Sequence, residues 1–276
     1  MKRTRKAALV TGGTSGIGRA LVHELGKRDF AVYFVGTNMD KGRAVETELG
    51  QGEGRFIPVD LSDLRATRAF AVRFAAEHEQ LDLLVNVAGV MLPERQETPE
   101  GNERTFTIDH LAAFVLSHEL APALARAEHG RIANVSGPPR QMLPPSLNFD
   151  DLQLARDYSL VRSVTNAVHA KTVMTEILAE KYRSAGVDVI AFDPGPVKTD
   201  LSRHMDFPLN LLFRAATSLM PRSSKTAVYA TSSAELEGVS GQLVTGRKLR
   251  ELRFDERYKA RLWDATLAAL PFELPA

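Results

Sequence analysis

A glycine-rich turn between a strand and a helix lies within the first 25 residues of this chain. Residues 7–25 read AALVTGGTSGIGRALVHEL. The apolar run Ala7–Val10 fits a buried strand, and Ile17, Leu21 and Leu25 follow at helical spacing. Glycines between such elements let backbone N–H groups and a helix N-terminus approach a pyrophosphate. The turn therefore predicts an α/β fold that binds a dinucleotide.

The composition agrees with a single α/β domain over residues 1–276. Hydrophobic residues make up 44% and charged residues 25% of the chain, and the net charge is +1. This balance indicates neither a nucleic acid nor a membrane surface as a partner. The apolar run after the basic N-terminus is too short for a signal peptide or a membrane span. Because there are no cysteines, disulfides, cysteine–metal sites and thiol catalysis are excluded. We expect a cytoplasmic protein with no metal site.

The sequence TGGTSGIG, residues 11–18, resembles the nucleotide loop of the short-chain dehydrogenase/reductase superfamily. The resemblance implies a Rossmann-type, doubly wound parallel sheet in one domain, with a bound NAD(P)(H). It assigns cofactor contacts in this loop to Gly12, Thr14, Ser15, Gly16, Ile17 and Gly18.

Three later stretches resemble further motifs of the superfamily, so the similarity covers nearly the whole chain. Residues 81–89, LDLLVNVAG, resemble LDxLVNNAG, and residues 193–199, DPGPVKT, resemble HPGxVxT, which touches the nicotinamide. Residues 147–153, LNFDDLQ, resemble the retinol dehydrogenase-like branch. The resemblance adds cofactor contacts at Asp60, Leu61, Asn86, Ala88, Gly89, Pro194, Gly195, Val197 and Thr199.

The residues after the predicted second strand leave the choice of cofactor open. In dinucleotide folds this position meets the adenosine ribose, where an acid favours NAD and an arginine favours NADP. Residues 36–38 contain neither, and Thr37 and Asn38 can hydrogen-bond either cofactor. The missing acid favours NADP(H), with NAD(H) as the alternative. Asp60 matches a residue that lies beside the adenine in the superfamily. The alternative is an N-cap for the helix predicted over Leu64–His78, because Ser62 and Asp63 cap well, and both interpretations can hold.

The positions that carry the proton chemistry of the superfamily are substituted. There, an asparagine, a serine, a tyrosine and a lysine act together, and the lysine lowers the pKa of the tyrosine and binds the ribose. In a register without gaps, those positions read Asp109, Gly137, Val164 and Val168. Valine cannot donate a proton or hold a charge. We predict that the fold and cofactor site persist without the standard proton relay, with Asp109 as a general base or an ion-paired carboxylate.

Two other groups could replace the missing chemistry. Tyr158 and Arg162 have the spacing of the tyrosine and the lysine, although Tyr158 lies six residues too early relative to Pro194. Lys171 shares a helix face with Val164 and Val168, so its ammonium could reach toward the ribose. The alternative for Lys171 is a surface or ion-paired residue.

The segment after the PG motif predicts the character of the substrate. Residues 200–222 are rich in Leu, Met and Phe, and in the superfamily this segment forms the substrate lid. An apolar lid implies an apolar small molecule as the substrate, with ordinary helix packing as the alternative. The resemblance also implies a homodimer, because the superfamily often dimerises through two of its helices.

Three classes of function follow from these observations. The first is a non-redox reaction of specialised metabolism, such as cyclisation, isomerisation or dehydration, with the cofactor retained as structure. The second is an NADP-dependent ketone or aldehyde reductase with a substituted proton donor, such as Tyr158 or water. The third is a non-catalytic pseudoenzyme or partner protein that retains only the fold.

Overall fold

A single eight-stranded sheet forms the centre of the computed structural model, which describes residues 5–50, 54–143, 146–197, 221 and 223–274. The strands are β1 (Lys6–Thr11), β2 (Phe30–Gly36), β3 (Gly54–Pro58), β4 (Leu83–Asn86), β5 (Arg131–Val135), β6 (Asp188–Asp193), β7 (Gln242–Thr245) and β8 (Lys248–Glu251). Their spatial order is β3-β2-β1-β4-β5-β6-β7-β8. Strands β1 to β7 are parallel, and β8 pairs antiparallel with β7.

Helices cover both faces of this sheet. They are α1 (Gly16–Gly26), α2 (Met39–Leu49), α3 (Leu64–Glu77), α4 (Arg104–Phe106), α5 (Ala112–Glu119), α6 (Ala121–Ala125), α7 (Pro139–Met142), α8 (Leu160–Tyr182), α9 (Lys225–Ser232) and α10 (Glu256–Ala268). One apolar cluster joins the sheet to α1, α2 and α9, and a second joins it to α3, α5, α8 and α10. The predicted doubly wound α/β fold is therefore confirmed.

Strand β1 shows why a continuous apolar run becomes a central strand. Ala8, Leu9 and Val10 are fully buried. Leu9 packs into the cluster with α8, whereas Ala8 and Val10 pack into the cluster with α1, as alternation along a strand requires. A strand covered on both faces needs apolar residues at every position.

The antiparallel edge strand β8 departs from the all-parallel sheet that the resemblance implies. Its four residues, KLRE, are all exposed. A tight turn at Gly246, whose φ is +64°, joins β8 to β7. Because neither face of β8 is buried, no apolar period in the sequence marks it.

A π-helical turn, Thr107–Leu111, connects α4 to α5 and contains Asp109. The helix begins after Glu103, whose carboxylate accepts hydrogen bonds from the N–H groups of Thr105 (2.9 Å) and Phe106 (2.6 Å). The extra residue of a π-helical turn changes the direction of the side chains, and such turns are frequent at functional sites.

The long helix α8 carries Val164, Val168 and Lys171, and a buried cation anchors it to α10. The Nζ atom of Lys259 lies 3.3 Å from Glu176 Oε1 and 2.8 Å from Glu180 Oε1, both on α8. The Lys259 side chain is 5% exposed, and that of Glu176 is 10% exposed. This cluster fixes the position of α8 relative to the rest of the fold.

We expect Lys259→Met to lower the free energy of unfolding by about 2 kcal/mol, because it leaves the Glu176 carboxylate buried without its cation. Urea denaturation measures the change. Arg253→Met is the matched control, because Arg253 and its partner Glu251 are both exposed, and we expect no measurable loss. Equal stability of Lys259→Met and the wild type would show that the cluster contributes nothing.

Candidate functional site

A cavity of about 770 Å³ opens at the carboxyl ends of the central parallel strands. In doubly wound sheets, ligands bind in the crevice where the strand order reverses, here between β1 and β4. Most of the predicted cofactor contacts line this cavity: Gly12, Thr14, Ser15, Gly16, Ile17, Gly18, Thr37, Asn38, Asp60, Leu61, Ala88, Gly89 and Pro194.

The loop after β1 is packed too closely for side chains at two of its glycines. A Cβ atom on Gly12 would lie 2.9 Å from the Cα of Ala88, and one on Gly18 would lie 2.3 Å from the carbonyl oxygen of Gly12. The hydroxyl of Thr11 accepts hydrogen bonds from the N–H groups of Val87 (2.9 Å) and Ala88 (3.0 Å). No role is predicted for Thr11 from the sequence, although it is the first residue of the TGGTSGIG motif.

The N-terminus of α1 retains unpaired donors for an anion. Its N-cap residue, Ser15, makes no side-chain capping bond. By contrast, Asn38 caps α2 by accepting from the N–H of Lys41 (2.9 Å), and Asp63 caps α3 by accepting from Ala66 (2.8 Å). The first N–H groups of a helix are free to bind a phosphate when no side chain caps them. This end of the cavity therefore fits a pyrophosphate.

Thr37, Asn38, Lys41 and Asp60 line the adenosine end of the cavity. The Oδ1 atom of Asp60 accepts from the N–H (2.9 Å) and the hydroxyl (2.7 Å) of Ser62. Asp60 does not cap α3, since Asp63 does so. Lys41 was not identified from the sequence as a candidate cofactor contact. The only available signal was a positively charged residue in the first turn of the helix that follows β2.

Asn86 does not line the cavity, which differs from the expectation of a direct cofactor contact. Its amide donates to the Asn134 side-chain oxygen (2.9 Å) and to the Ser117 hydroxyl (3.2 Å). Asn86 and Asn134 are opposite each other in the β4–β5 register, so their side chains share one face of the sheet. Asn86 therefore supports the strand end from within the protein.

Two other predicted cofactor contacts lie outside the cavity lining. Gly195 and Val197 do not line it; the N–H of Gly195 donates to Asp193 (2.9 Å), and Val197 is buried. Thr199 lies outside the described residues. The same holds for the predicted apolar lid, residues 200–222, except Pro221.

The residues aligned with the four proton-handling positions of the superfamily all line the cavity. Asp109 comes from the π-helical turn, Gly137 from the end of β5, and Val164 and Val168 from successive turns of α8. A Cβ atom on Gly137 would lie 3.4 Å from the Cε of Met142. We refer to these four residues and Met142 as the reacting end.

Tyr158 and Arg162 do not line this cavity. The Tyr158 hydroxyl donates to the carbonyl oxygen of Leu92 (2.7 Å), and burial raises the pKa of Tyr158. Arg162 is exposed and pairs with Asp157. Because α8 begins at Leu160, Tyr158 lies before the helix, and the four-residue helical spacing that suggested the pair does not apply. The structure therefore does not bring this pair to the reacting end.

Asp109 presents a carboxyl group to the cavity from a buried position. Its Oδ1 accepts from the N–H of Val90 (3.2 Å), and its Oδ2 would lie 3.0 Å from a Cβ atom on Gly89. Burial raises the pKa of Asp109 to about 7, against the lowering effects of Lys171 and of the Val90 N–H. Near neutral pH this carboxyl group can donate or accept a proton.

Lys171 does not line the cavity either, which differs from the expectation that its ammonium reaches the ribose. The residue is 2% exposed, and burial lowers the pKa of Lys171 to about 8, while the charge of Asp109 opposes the decrease. It is therefore not a surface residue, and it is not among the residues that line the cavity.

Residues 6–142 match the protein family described as short chain dehydrogenase. Retinol dehydrogenase 14 from Homo sapiens is 33% identical to this chain, in an alignment that covers 94% of the chain and 84% of the relative. The chain belongs to the short-chain dehydrogenase family. Polyprenol dehydrogenase from Danio rerio is 32% identical and covers 95% of the chain and 86% of the relative. Both relatives are oxidoreductases by name.

A solved member of this family shares the same architecture. A Beutenbergia cavernae protein assigned as an NAD(P)-dependent gluconate 5-dehydrogenase, with bound NADP, has a TM-score of 0.67 and 25% identity to this chain. The superposition covers 87% of this chain and 94% of that chain. Among the helices that the structure describes in this short-chain dehydrogenase, none has the length and apolarity to cross a membrane.

We expect Gly18→Ala to weaken NADPH binding by about tenfold or more. The added methyl group would lie 2.3 Å from the Gly12 carbonyl oxygen, so the phosphate loop must move. Isothermal titration calorimetry with NADPH measures the dissociation constant. Gly246→Ala is the control, because it strains a positive φ in the β7–β8 turn without any atom within 4 Å. Wild-type affinity in Gly18→Ala would contradict the close-packing argument.

Proposed function

We propose that this short-chain dehydrogenase is an NADP(H)-dependent oxidoreductase of apolar small molecules, in which Asp109 handles the substrate proton. The observation that supports the proposal is the combination of two features in one cavity. The phosphate cradle of Gly12, Gly18 and the uncapped α1 is complete, and a carboxyl group with a pKa near neutrality lies at the reacting end. A group that titrates near the working pH suits general acid–base catalysis.

The preference for NADP(H) rests on the charges around the adenosine end. Residues 36–38 offer no acid to the ribose hydroxyls, and the cation Lys41 lines the cavity there. The carboxylate of Asp60 lines the same end, and its Oδ1 atom accepts hydrogen bonds from Ser62. The N-terminus of α2 adds a favourable dipole for a 2′-phosphate. The NADP carried by the B. cavernae protein supports the same choice.

An apolar substrate is supported by the lining of the other half of the cavity. Aliphatic and thioether side chains line the cavity together with the polar side chains of Gln96, Arg104, Gln141 and Thr165; the apolar ones are Val90, Met91, Leu92, Ile108, Met142, Val164 and Val168. The apolar side chains bind through burial of apolar surface, and the polar ones can orient the ligand. The names of the two relatives, which refer to retinol and polyprenol, support an apolar alcohol or carbonyl compound as the substrate.

The bound nicotinamide would supply the hydride chemistry, and the chain would supply the environment. In the direction of reduction, the protonated Asp109 donates its proton to the substrate oxygen, and in the direction of oxidation, its carboxylate accepts that proton. Val164 and Val168 exclude water from the reacting end, which strengthens electrostatic interactions there.

A non-redox reaction in the same cavity is the second candidate function. The observation that favours it is the lining of the reacting end by Val164 and Val168, which offer no proton donor and no cation to the ribose. The cofactor would then remain as structure, and Asp109 would act as the acid–base group of a cyclisation, isomerisation or dehydration. The non-catalytic alternative stays a prediction that any turnover would exclude.

Transfer of deuterium tests the redox proposal. We expect the enzyme to transfer deuteride from C4-deuterated NADPH to an apolar aldehyde such as retinal, and mass spectrometry of the alcohol measures it. Asp109→Asn should lower kcat by about 100-fold, the usual scale of a lost acid–base group. Tyr158→Phe is the control and should retain activity.

The opposite pattern of variants, with activity lost in Tyr158→Phe and retained in Asp109→Asn, would contradict the assignment of the proton donor. Product formation without deuterium or NADPH consumption would support the non-redox function.

Substitution of the reacting end tests whether α8 shapes the substrate site. We expect Val164→Phe to lower kcat/KM for an apolar substrate by about tenfold or more, because the larger ring fills cavity space. Steady-state kinetics measures the change. Val161→Phe is the matched control on the same helix, since Val161 is 70% exposed, and it should leave kcat/KM unchanged. Equal effects of the two substitutions would place the substrate elsewhere.

A further inference from the structure

Lys171 on α8 is a buried cation without a hydrogen-bond partner. The residue is 2% exposed, and its Nζ finds no donor or acceptor among the described residues. Burying an ammonium group without a partner is costly, and a charged group in that position usually shifts its pKa or has a function. Lys171 is not among the residues that line the cavity.

The charged and titratable groups that face Lys171 are Asp109 and His110, which lie in the π-helical turn Thr107–Leu111. Lys171 lowers the pKa of Asp109, and the charge of Asp109 raises that of Lys171. Burial, aided by Lys171, lowers the pKa of His110 to about 3, so His110 is neutral and bonds to Thr266. Glu103 is the remaining charge that affects Asp109, and it raises the pKa. Asp109 is therefore the ionisable partner of Lys171.

The two residues also occupy related places in the fold. Lys171 is one helical turn beyond Val168, on nearly the same face of α8. Asp109 and Val164 line the same cavity, and the π-helical turn that carries Asp109 packs directly against α8, which carries Val164 and Lys171. Positions 164 and 168 hold valines where the superfamily has an acid and a cation. Asp109 and Lys171 supply an acid and a cation nearby, from different positions in the sequence.

We propose that Lys171 is a positioning residue that sets the protonation of Asp109, so that the two groups form one proton-carrying pair at the reacting end. This inference rests on the proposed function for its chemical role. In a reduction, the O–H bond of Asp109 breaks and an O–H bond forms on the substrate oxygen, while the nicotinamide cofactor provides the hydride. The electron pair remains on the Asp109 carboxylate.

Lys171 stabilises the product of that step. Without a nearby cation, the carboxylate left on Asp109 would be an isolated buried anion, which is strongly unfavourable. The ammonium of Lys171 neutralises it through charge, without a direct hydrogen bond. The net charge of the Asp109–Lys171 pair therefore changes only when the pair exchanges a proton with the cavity.

Carbon-13 NMR of carboxyl-labelled aspartate in the full chain measures the protonation of Asp109 directly, and Asp109→Asn identifies its resonance. We expect Lys171→Met to raise the pKa of Asp109 by about one unit or more, because the cation that favours the carboxylate is gone. Lys181→Met is the matched control, because Lys181 is exposed on the same helix. It should leave the titration unchanged.

The pH dependence of turnover is the second readout. A reduction that needs the protonated Asp109 should remain active to higher pH in Lys171→Met, while its maximal kcat decreases by about tenfold or more because the product carboxylate has lost its cation. Removing an unpartnered buried ammonium should leave the melting temperature unchanged or raise it. A lysine with only a structural role would show the reverse, with a lower melting temperature and an unchanged pH profile.

The titration separates this inference from the proposed function, since it needs no turnover. An Asp109 resonance that titrates identically with and without Lys171 overturns the inference, whatever the activity. A shifted titration in an enzyme that transfers no deuteride supports the pair and contradicts the redox function. Should Lys171→Met fail to fold, carbon-13 labelling of the lysine ε-carbon in Asp109→Asn serves instead. There, the pKa of Lys171 should decrease, and an unchanged value would overturn the inference.

Discussion

Close packing of backbone against backbone at the loop after β1 determines the geometry of the whole site. Only glycine fits at positions 12 and 18, where a Cβ atom would lie 2.9 Å from Ala88 Cα and 2.3 Å from the Gly12 carbonyl oxygen. Thr11 fastens this loop to the two residues that follow β4. The N-terminus of α1 is thereby held against the ends of the strands. Its position determines where a pyrophosphate would bind relative to the reacting end.

A series of hydrogen bonds between buried amides and hydroxyls connects the sheet to α8, which carries part of the reacting end. Asn86, at the end of β4, donates to Asn134 on β5, which in turn donates to Thr175 on α8 at 3.0 Å. Thr175 donates to the carbonyl oxygen of Lys171 at 3.0 Å. Because the donor atom of each buried side chain in this series is bonded, the rotation of α8 about its axis is fixed relative to the sheet. That rotation directs Val164 and Val168 toward the cavity.

The fold could be predicted from sequence, because continuous apolar strands and a glycine motif act locally, and most of the predicted cofactor contacts line one cavity. A sequence motif does not show which way a side chain points. Asn86 was correctly placed at a strand end, but its side chain turns into the protein. Tyr158 had the right spacing in the sequence, and only the start of α8 at Leu160 shows that it precedes the helix. The charge interaction between Asp109 and Lys171 joins two helices and has no local signature.

In the proposed function an aspartate carries the proton that a tyrosine carries in the superfamily, and this reverses what a neighbouring cation must do. A phenol has an ordinary pKa near 10, so a lysine must lower it strongly to make proton transfer possible near neutral pH. A carboxyl group starts near 4, and burial must raise it. A lysine in direct contact would then return the pKa of Asp109 to its ordinary range and remove its capacity to donate a proton. Lys171, which interacts through charge without a hydrogen bond, permits the rise and still stabilises the carboxylate. The absence of direct contact is therefore what the chemistry of a buried acid requires.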